Sequence, residues 1–417
     1  MRILHLSSLY APEQVGGAEL MVETLARSQV GLGHAVAVAV ACASRQVQAP
    51  AMQDGVTVYR TGHGTPFHIL DWPQRGRLDR LRYKLATQWN RPTLARMAAA
   101  VRDFAPDVVN THSISELPPA IWPMLRRLGV PVVHTLHDFT SLCTNGAMAR
   151  HGQACAGQHL KCRVYSEPHR RCQRAVTAVA AVGSDILDRH VAAGFFETVP
   201  AALRQVIWNP IPLADPPTRE PRSPGAPVRF GYLGRIEPSK GFDVLLDACR
   251  RLPHRGWHLA VAGRAADGLD RYQTRAEGLP VTFLGYAERD AFLDGIDCLV
   301  VPPVWPEAFG RTVAEAYGRG VPVIGTAIGG IGEQIGYGPW LVPPGDPAAL
   351  ATAMARVIDE PGRLADGLAR AAAVRAGTDP AAVASAYLDL YAAARSALLS
   401  EPSPARAKRP HLSECRP

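Results

Sequence analysis

The 417-residue sequence contains no apolar run near the roughly 20 residues that a bilayer-spanning helix needs. Its opening, MRILHLSSLY, is too short and too polar for a secretory signal. The expectation is a cytoplasmic chain, in which disulfides are disfavoured. No short repeat recurs, so a solenoid is excluded. No nucleic-acid-binding motif is present and the arginines lack the aromatic interleaving of a stacking platform, so nucleic acid is not expected as a partner. The formal charge of +8 still calls for something anionic, such as a nucleotide or an acidic lipid surface.

What is present is an alternation of strand-like and helix-like segments, in a chain longer than one core usually organises. RILHLSS, HAVAVAVACA, DVVNTH, VPVVHTL, TAVAAVG and RQVIWNP read as buried strands of a first α/β domain, residues 1–210. In the first βα unit a helix starts near Ala18 and stops at Gly31 to Gly33. Residues 211–227 are proline-rich and mark a linker. A second domain over 228–375 follows, with strands VRFGYLG, WHLAVAG, VTFLG, DCLVVP, VPVIG and PWLVP. Residues 376–400 read as a helix packing back toward the first domain, and 401–417 as a mobile basic tail. The expected fold is two Rossmann-like doubly wound domains.

The second domain holds the strongest chemical signal. GYLGRIEPSKG places Arg235 and Lys240 after a strand, at the edge of a parallel sheet where open α/β folds bind ligands. Arginine offers a planar fork to phosphate oxygens and lysine a compact point charge. In EAFGRTVAE, Glu307 precedes a helix and Glu315 lies within it. The intervening helical turn makes a glycosidase-type acid and base pair unsuitable, and suits contacts to different parts of one ligand. Taken singly, either glutamate also fits an acid favoured by a helix dipole. GGIGE, with Gly329 and Gly330, offers close backbone approach and helix N-terminal amides for a phosphate.

GRIEPSKG, PEAFGRTVAEAYGRGVPVIGTAIGGIGE and the N-terminal GGAE loop together resemble the family 4 retaining glycosyltransferases, over about residues 1–395. The resemblance implies the GT-B architecture, two Rossmann-like domains facing across a cleft. It implies that Arg235 and Lys240 grip a donor diphosphate, that Glu315 binds the ribose, and that Glu307 contacts the donor sugar. Backbone amides around Phe309, Gly310 and Arg311 complete that site. Gly16 and Gly17 match the loop that approaches the diphosphate from across the cleft, and His112 the strand-end histidine near the sugar. His137 and Asp138 lie at a similar edge and suit the acceptor side.

Transfer from a nucleotide-diphosphate-sugar to a saccharide or lipid-linked acceptor, with retention, is the implied reaction. It needs no catalytic metal, and no Asp-x-Asp cluster is present to hold one. Domain motion about NPIPLADPP is expected. Two positions depart from the pattern. AGRA has Arg264 where a second glycine is usual, and WNPIP replaces the usual Asn-Gly at the domain junction. Another GT-B enzyme, such as an epimerase or α-glucan synthase, and a non-catalytic sugar-nucleotide-binding protein stay open.

Two further segments carry expectations. An insertion over 140–175 holds Cys143, Cys155, Cys162 and Cys172, with His151, His159 and His169 among them. Their spacings of twelve, seven and ten do not match a zinc ribbon, and both a structural zinc and four unconnected thiols remain open. Between Gln74 and Arg102 run eight basic residues and one Asp79, interleaved with Leu78, Leu81, Leu85, Trp89, Leu94 and Met97. That pattern suits a basic amphipathic surface lying on anionic lipid at the inner face of a membrane.

Overall fold

A computed structural model describes residues 1–13, 16–112, 116–150, 153–218, 225–266 and 268–400. The expected tail at 401–417 lies outside the described residues.

The N-terminal sheet has eight strands. They are β1 (Arg2–Ser7), β2 (Ala35–Val40), β3 (Ala51–Gln53), β4 (Val56–Arg60), β5 (Val108–Thr111), β6 (Val132–Leu136), and, beyond the two-stranded β7 (Ala149–Arg150) and β8 (Gln153–Ala154), β9 (Ala178–Ala181) and β10 (Arg204–Val206). Their order is β10-β9-β6-β5-β1-β2-β4-β3. All pairs are parallel except β3 with β4. Burial on both faces explains the continuous apolar runs, as in β2, which is AVAVAV with five of six residues buried. The helices are α1 (Gly17–Gly31), α2 (Arg77–Gln88), α3 (Arg91–Phe104), α4 (Ile121–Arg127), α5 (Leu160–Cys172) and α6 (Ser184–Ala192).

The second sheet is all parallel, built of β11 (Val228–Leu233), β12 (Trp257–Ala262), β13 (Val281–Gly285), β14 (Cys298–Val301), β15 (Val323–Thr326) and β16 (Leu341–Val342). Its order, β13-β12-β11-β14-β15-β16, reverses direction between β11 and β14. That reversal opens a crevice beyond the strand ends. Around it stand α7 (Phe242–Cys249), α8 (Asp270–Ala276), α9 (Arg289–Asp294), α10 (Arg311–Gly318), α11 (Gly329–Ile335), α12 (Pro347–Asp359) and α13 (Ala371–Thr378).

The last helix, α14 (Pro380–Ser400), returns to the first domain. Its Tyr391 hydroxyl accepts from the Asn110 side chain at 2.7 Å, and its Tyr387 hydroxyl lies 3.3 Å from that of Thr135. A second tie joins the domains where Ser184 and Asp185, opening α6, donate backbone amides to Glu333 of α11 at 2.7 and 3.1 Å.

Candidate active site

Where the two sheets' carboxyl edges meet lies a cleft of about 560 Å³. The first domain contributes Gly16, Gly17, His137 and Asp138 to its wall. The second contributes Gly234, Arg235, Lys240, Glu307, Phe309 and Arg311. Residues up to 295 positions apart in sequence thus converge on one space because both sheets end there.

The cations come first along the chain. β11 stops at Leu233 and a tight turn, Pro238–Lys240, follows. Gly241 has φ of +70°, and a Cβ there would sit 1.7 Å from the Pro302 carbonyl, so only glycine lets the turn lie against the end of β14. Lys240 Nζ is thereby brought to Glu307 Oε1, to which it is hydrogen-bonded, and over the Trp305 ring at 5.2 Å. Trp305 Nε1 donates to the same carboxylate oxygen at 3.0 Å. Arg235 is largely exposed, its guanidinium 3.4 Å from Glu237, and so can turn to a ligand in the cleft.

Glu315 faces elsewhere. It sits in α10, 6% exposed, accepting from Arg311 Nε at 2.8 Å and Arg289 at 3.3 Å. Beside it is a second cavity of about 270 Å³ that shares Leu233, Gly234 and Thr312 with the first. The exposed ring of Tyr286 lines that second cavity, and the Arg264 guanidinium lies over it at 5.6 Å. The position where a glycine was expected therefore supplies a cation next to an aromatic wall.

Gly310 caps α10 with φ of +82°, and a Cβ there would strike the Ile331 side chain at 2.3 Å. Phe309 packs against Trp208 at the domain junction, ring centroids 6.1 Å apart. Gly329 and Gly330 pack against the Glu307 loop. A Cβ on Gly329 would lie 2.1 Å from the Glu307 carbonyl, and the Gly330 amide donates to that carbonyl at 2.8 Å. Their amide and space are used to seat the Glu307 loop, and neither residue lines the cleft.

On the facing wall, the Gly16 amide donates to Glu19 Oε2 at 2.8 Å, and a Cβ on Gly17 would come 3.7 Å from Arg311 Cδ. The glycine loop thus reaches across to α10. His112 is fully buried and does not line the main cleft; it stands behind His137, with His112 Nδ1 3.0 Å from His137 Nε2. One side chain, His137, thus separates His112 from the main cleft. Burial pushes the His137 imidazole down to about 4, so it is neutral near pH 7. Burial raises the Asp138 carboxyl, which accepts from the Thr140 amide at 2.7 Å.

Among the described residues no three His, Cys, Asp or Glu side chains converge on a metal-sized point. None of the four cysteines of the insertion forms a disulfide, and three take different neighbours: Cys143 Sγ accepts from the Asn145 amide, Cys162 faces Thr144 and Cys155 faces His159. His151 lies outside the described residues.

The basic segment divides into two helices. Asn90 caps α3 through Thr93, and α3 then buries Met97, Val101 and Phe104 in the core. On α2 the apolar stripe is instead exposed: Leu78, Leu81 and Leu85 recur at spacings of three and four, with Trp89 one turn on. Among the described residues no helix is long and apolar enough to cross a membrane.

Comparison with known proteins agrees with this architecture. The family model for "Glycosyl transferase 4-like domain" matches residues 16–210, and that for "Glycosyl transferases group 1" matches 227–360. The chain is 28% identical to a glycogen synthase of Mycobacterium tuberculosis over 421 aligned positions, 95% of each chain. It is 25% identical to an uncharacterised 42.6 kDa protein in the cps region of Klebsiella pneumoniae, over 80% of this chain and 87% of that one. Among solved structures, sucrose-phosphate synthase from Thermosynechococcus elongatus superposes with a TM-score of 0.70 at 19% identity, covering 95% of this chain and 100% of that one. HepE from Anabaena, solved with UDP-glucose, gives 0.65 at 18% identity, covering 94% and 100%. The chain belongs to the group 1, or family 4, glycosyltransferases, with their two-domain Rossmann-like GT-B fold.

Proposed function

We propose that the protein transfers a sugar, with retention of anomeric configuration, from a nucleotide-diphosphate-sugar to a saccharide or lipid-linked acceptor in the synthesis of a cell-surface polysaccharide or glycolipid. The observation that carries this reading is the pair of contiguous cavities, which share Leu233, Gly234 and Thr312. The smaller one takes the nucleoside, with Glu315 accepting from ribose hydroxyls and Tyr286 beside the base. The larger takes the diphosphate and sugar, with Arg235 and Lys240 on the phosphates and Glu307 toward the sugar. HepE, solved with UDP-glucose on the same fold, supports a nucleotide-sugar as donor.

In the reaction the bond between the anomeric carbon and the diphosphate oxygen lengthens, and negative charge accumulates on the diphosphate. Lys240 and Arg235 are placed to offset it, and electrostatic preorganisation of this kind is the largest single contribution in many enzymes. This assigns the neutralisation to side chains, so turnover is expected to survive EDTA.

The exposed face of α2 carries Leu78, Leu81, Leu85 and Trp89 with Arg77 and Arg82, all outward on the domain that holds the acceptor. This supports contact with an anionic membrane surface. A second reading, an α-glucan synthase, rests on the full-length likeness to glycogen synthase.

The test is release of nucleoside diphosphate from a series of nucleotide-sugars, with and without EDTA, followed by NMR of the product's anomeric proton. Consumption of one donor with retained configuration supports the proposal. Inversion, or failure to use any donor with lipid-linked, oligosaccharide and glucan acceptors, contradicts it. Elongation of glucan alone favours the second reading.

A further inference from the structure

Three histidines cross the N-terminal sheet at adjacent strands. His5 lies in β1, His112 directly follows β5 and His137 directly follows β6, and these strands are neighbours in the order β6-β5-β1. The imidazoles form a hydrogen-bonded line: His5 Nδ1 is 2.9 Å from His112 Nε2, and His112 Nδ1 is 3.0 Å from His137 Nε2. Its inner end is Gln29 on α1, whose Oε1 is 2.8 Å from His5 Nε2. Its outer end, His137, lines the cleft. His5, His112 and Gln29 are each 0% exposed.

Such a line has direction. A carboxamide oxygen only accepts, so His5 Nε2 carries the proton facing Gln29. A neutral imidazole has one N–H, which leaves His5 Nδ1 as an acceptor and requires the proton on His112 Nε2. The same step applied again puts the next proton on His137 Nε2. Burial keeps these rings neutral: it lowers His5 and His137 to about 4 and His112 further. Solvent cannot reach His5 or His112 to reset the order. The Gln29 side chain also meets the Tyr391 hydroxyl of α14, so the amide is held between that hydroxyl and His5 with its oxygen facing His5.

We propose that Gln29, His5 and His112 are positioning residues that hold His137 in the Nε2–H tautomer, leaving its Nδ1 as a lone-pair acceptor for a substrate hydroxyl. The proposal rests on reading the cleft as a glycosyl-transfer site. Because α1 opens at Gly17 and carries Gln29, one helix sets both the loop facing Arg311 and the state of His137.

The experiment is two-bond ¹⁵N–¹H NMR of the full chain labelled at histidine, paired with steady-state kinetics of Gln29→Met and Gln29→Glu. In the unsubstituted protein at neutral pH, His137 is expected with its proton on Nε2. Gln29→Met removes the acceptor at similar volume; the His137 signal should then report both tautomers. Its kcat should fall roughly 10- to 100-fold, the range of a misplaced proton partner, with donor KM little changed. Gln29→Glu has only acceptor oxygens once its carboxyl is ionised, so at a pH above its titration it should restore the Nε2–H state and most of kcat. A proton on His137 Nδ1 in the unsubstituted protein overturns the proposal, as does unchanged kcat in a folded Gln29→Met. Should Gln29→Met fail to fold, the spectrum of the unsubstituted protein alone decides. Failure of every nucleotide-sugar as donor defeats the transferase reading, whereas the tautomer of His137 is read independently of turnover.

Discussion

Lys240 Nζ is hydrogen-bonded to Glu307 Oε1 although the two residues are 67 positions apart. Each offsets the other's charge, and Trp305 Nε1 donates to the same carboxylate oxygen at 3.0 Å. On the proposed reading a donor diphosphate competes with Glu307 for the Lys240 ammonium.

Lys240→Ala should weaken nucleoside diphosphate binding by roughly 1.5–3 kcal/mol, the usual worth of a hydrogen bond to a charged group. Turnover should fall further, by about 100-fold or more, because the leaving charge is largest in the transition state. Calorimetric titration and steady-state kinetics separate the two effects.

Glu315→Ala should act on the nucleoside end alone. It removes the acceptor of Arg311 and Arg289, leaving two cations in a site from which a ribose partner has been lost. The expected result is loss of roughly 1.5–3 kcal/mol of nucleotide binding, with binding of inorganic pyrophosphate unchanged or tightened. Equal losses for both ligands would show that Glu315 supports the fold and has no ribose contact.

Glu116 gives a pH-dependent prediction away from the cleft. Its Oε1 accepts from Tyr83 Oη at 2.6 Å and the Ile69 amide at 3.0 Å, while burial pushes its carboxyl up to about 7. The folded state thus binds the proton more tightly than the unfolded chain, so stability is full below about 4.5 and declines as pH rises toward about 7. Glu116→Gln keeps an oxygen for both donors and removes the titration. It should raise stability at pH 8 by about 3 kcal/mol at most, with no gain at pH 4.5, by thermal unfolding. The buried histidines act oppositely. His5, His169 and His190 are held near 4, so their contribution is lost as pH falls from about 6.5 to about 4.

Leu78→Ser, Leu81→Ser and Leu85→Ser combined should abolish co-sedimentation with vesicles containing phosphatidylglycerol while leaving thermal stability within about 1 kcal/mol, since all three side chains are exposed. Retained sedimentation would remove α2 from the membrane account.

The strands of both domains were legible because parallel sheets buried on two faces leave continuous apolar runs, as in AVAVAV of β2. The hairpin of β3 and β4 was missed, although its Asp54-Gly55 turn, with φ of +51° and +79°, is the standard signal for two antiparallel strands. Within the proposed site, Arg235 and Lys240 are picked out by one local pattern, GRIEPSKG, and Glu307 and Glu315 by another, EAFGRTVAE. Trp305 is not, although it stands two residues before Glu307. Arg289 reaches Glu315 from 26 positions away, and His5 reaches His112 from 107. Such pairings depend on strand order, which local periodicity does not encode. Gly329, Gly330 and His112 likewise stand behind the residues that line the main cleft, an arrangement that their sequence positions did not reveal.

Thermal unfolding with UDP, GDP, ADP and their common sugar conjugates, each with and without EDTA, tests the central claim most directly when repeated on Glu315→Ala. The account predicts stabilisation by the nucleotides of one base, undiminished by EDTA and lost in the variant. No stabilisation by any of them, or an equal shift in Glu315→Ala, would contradict the donor site described between the two domains.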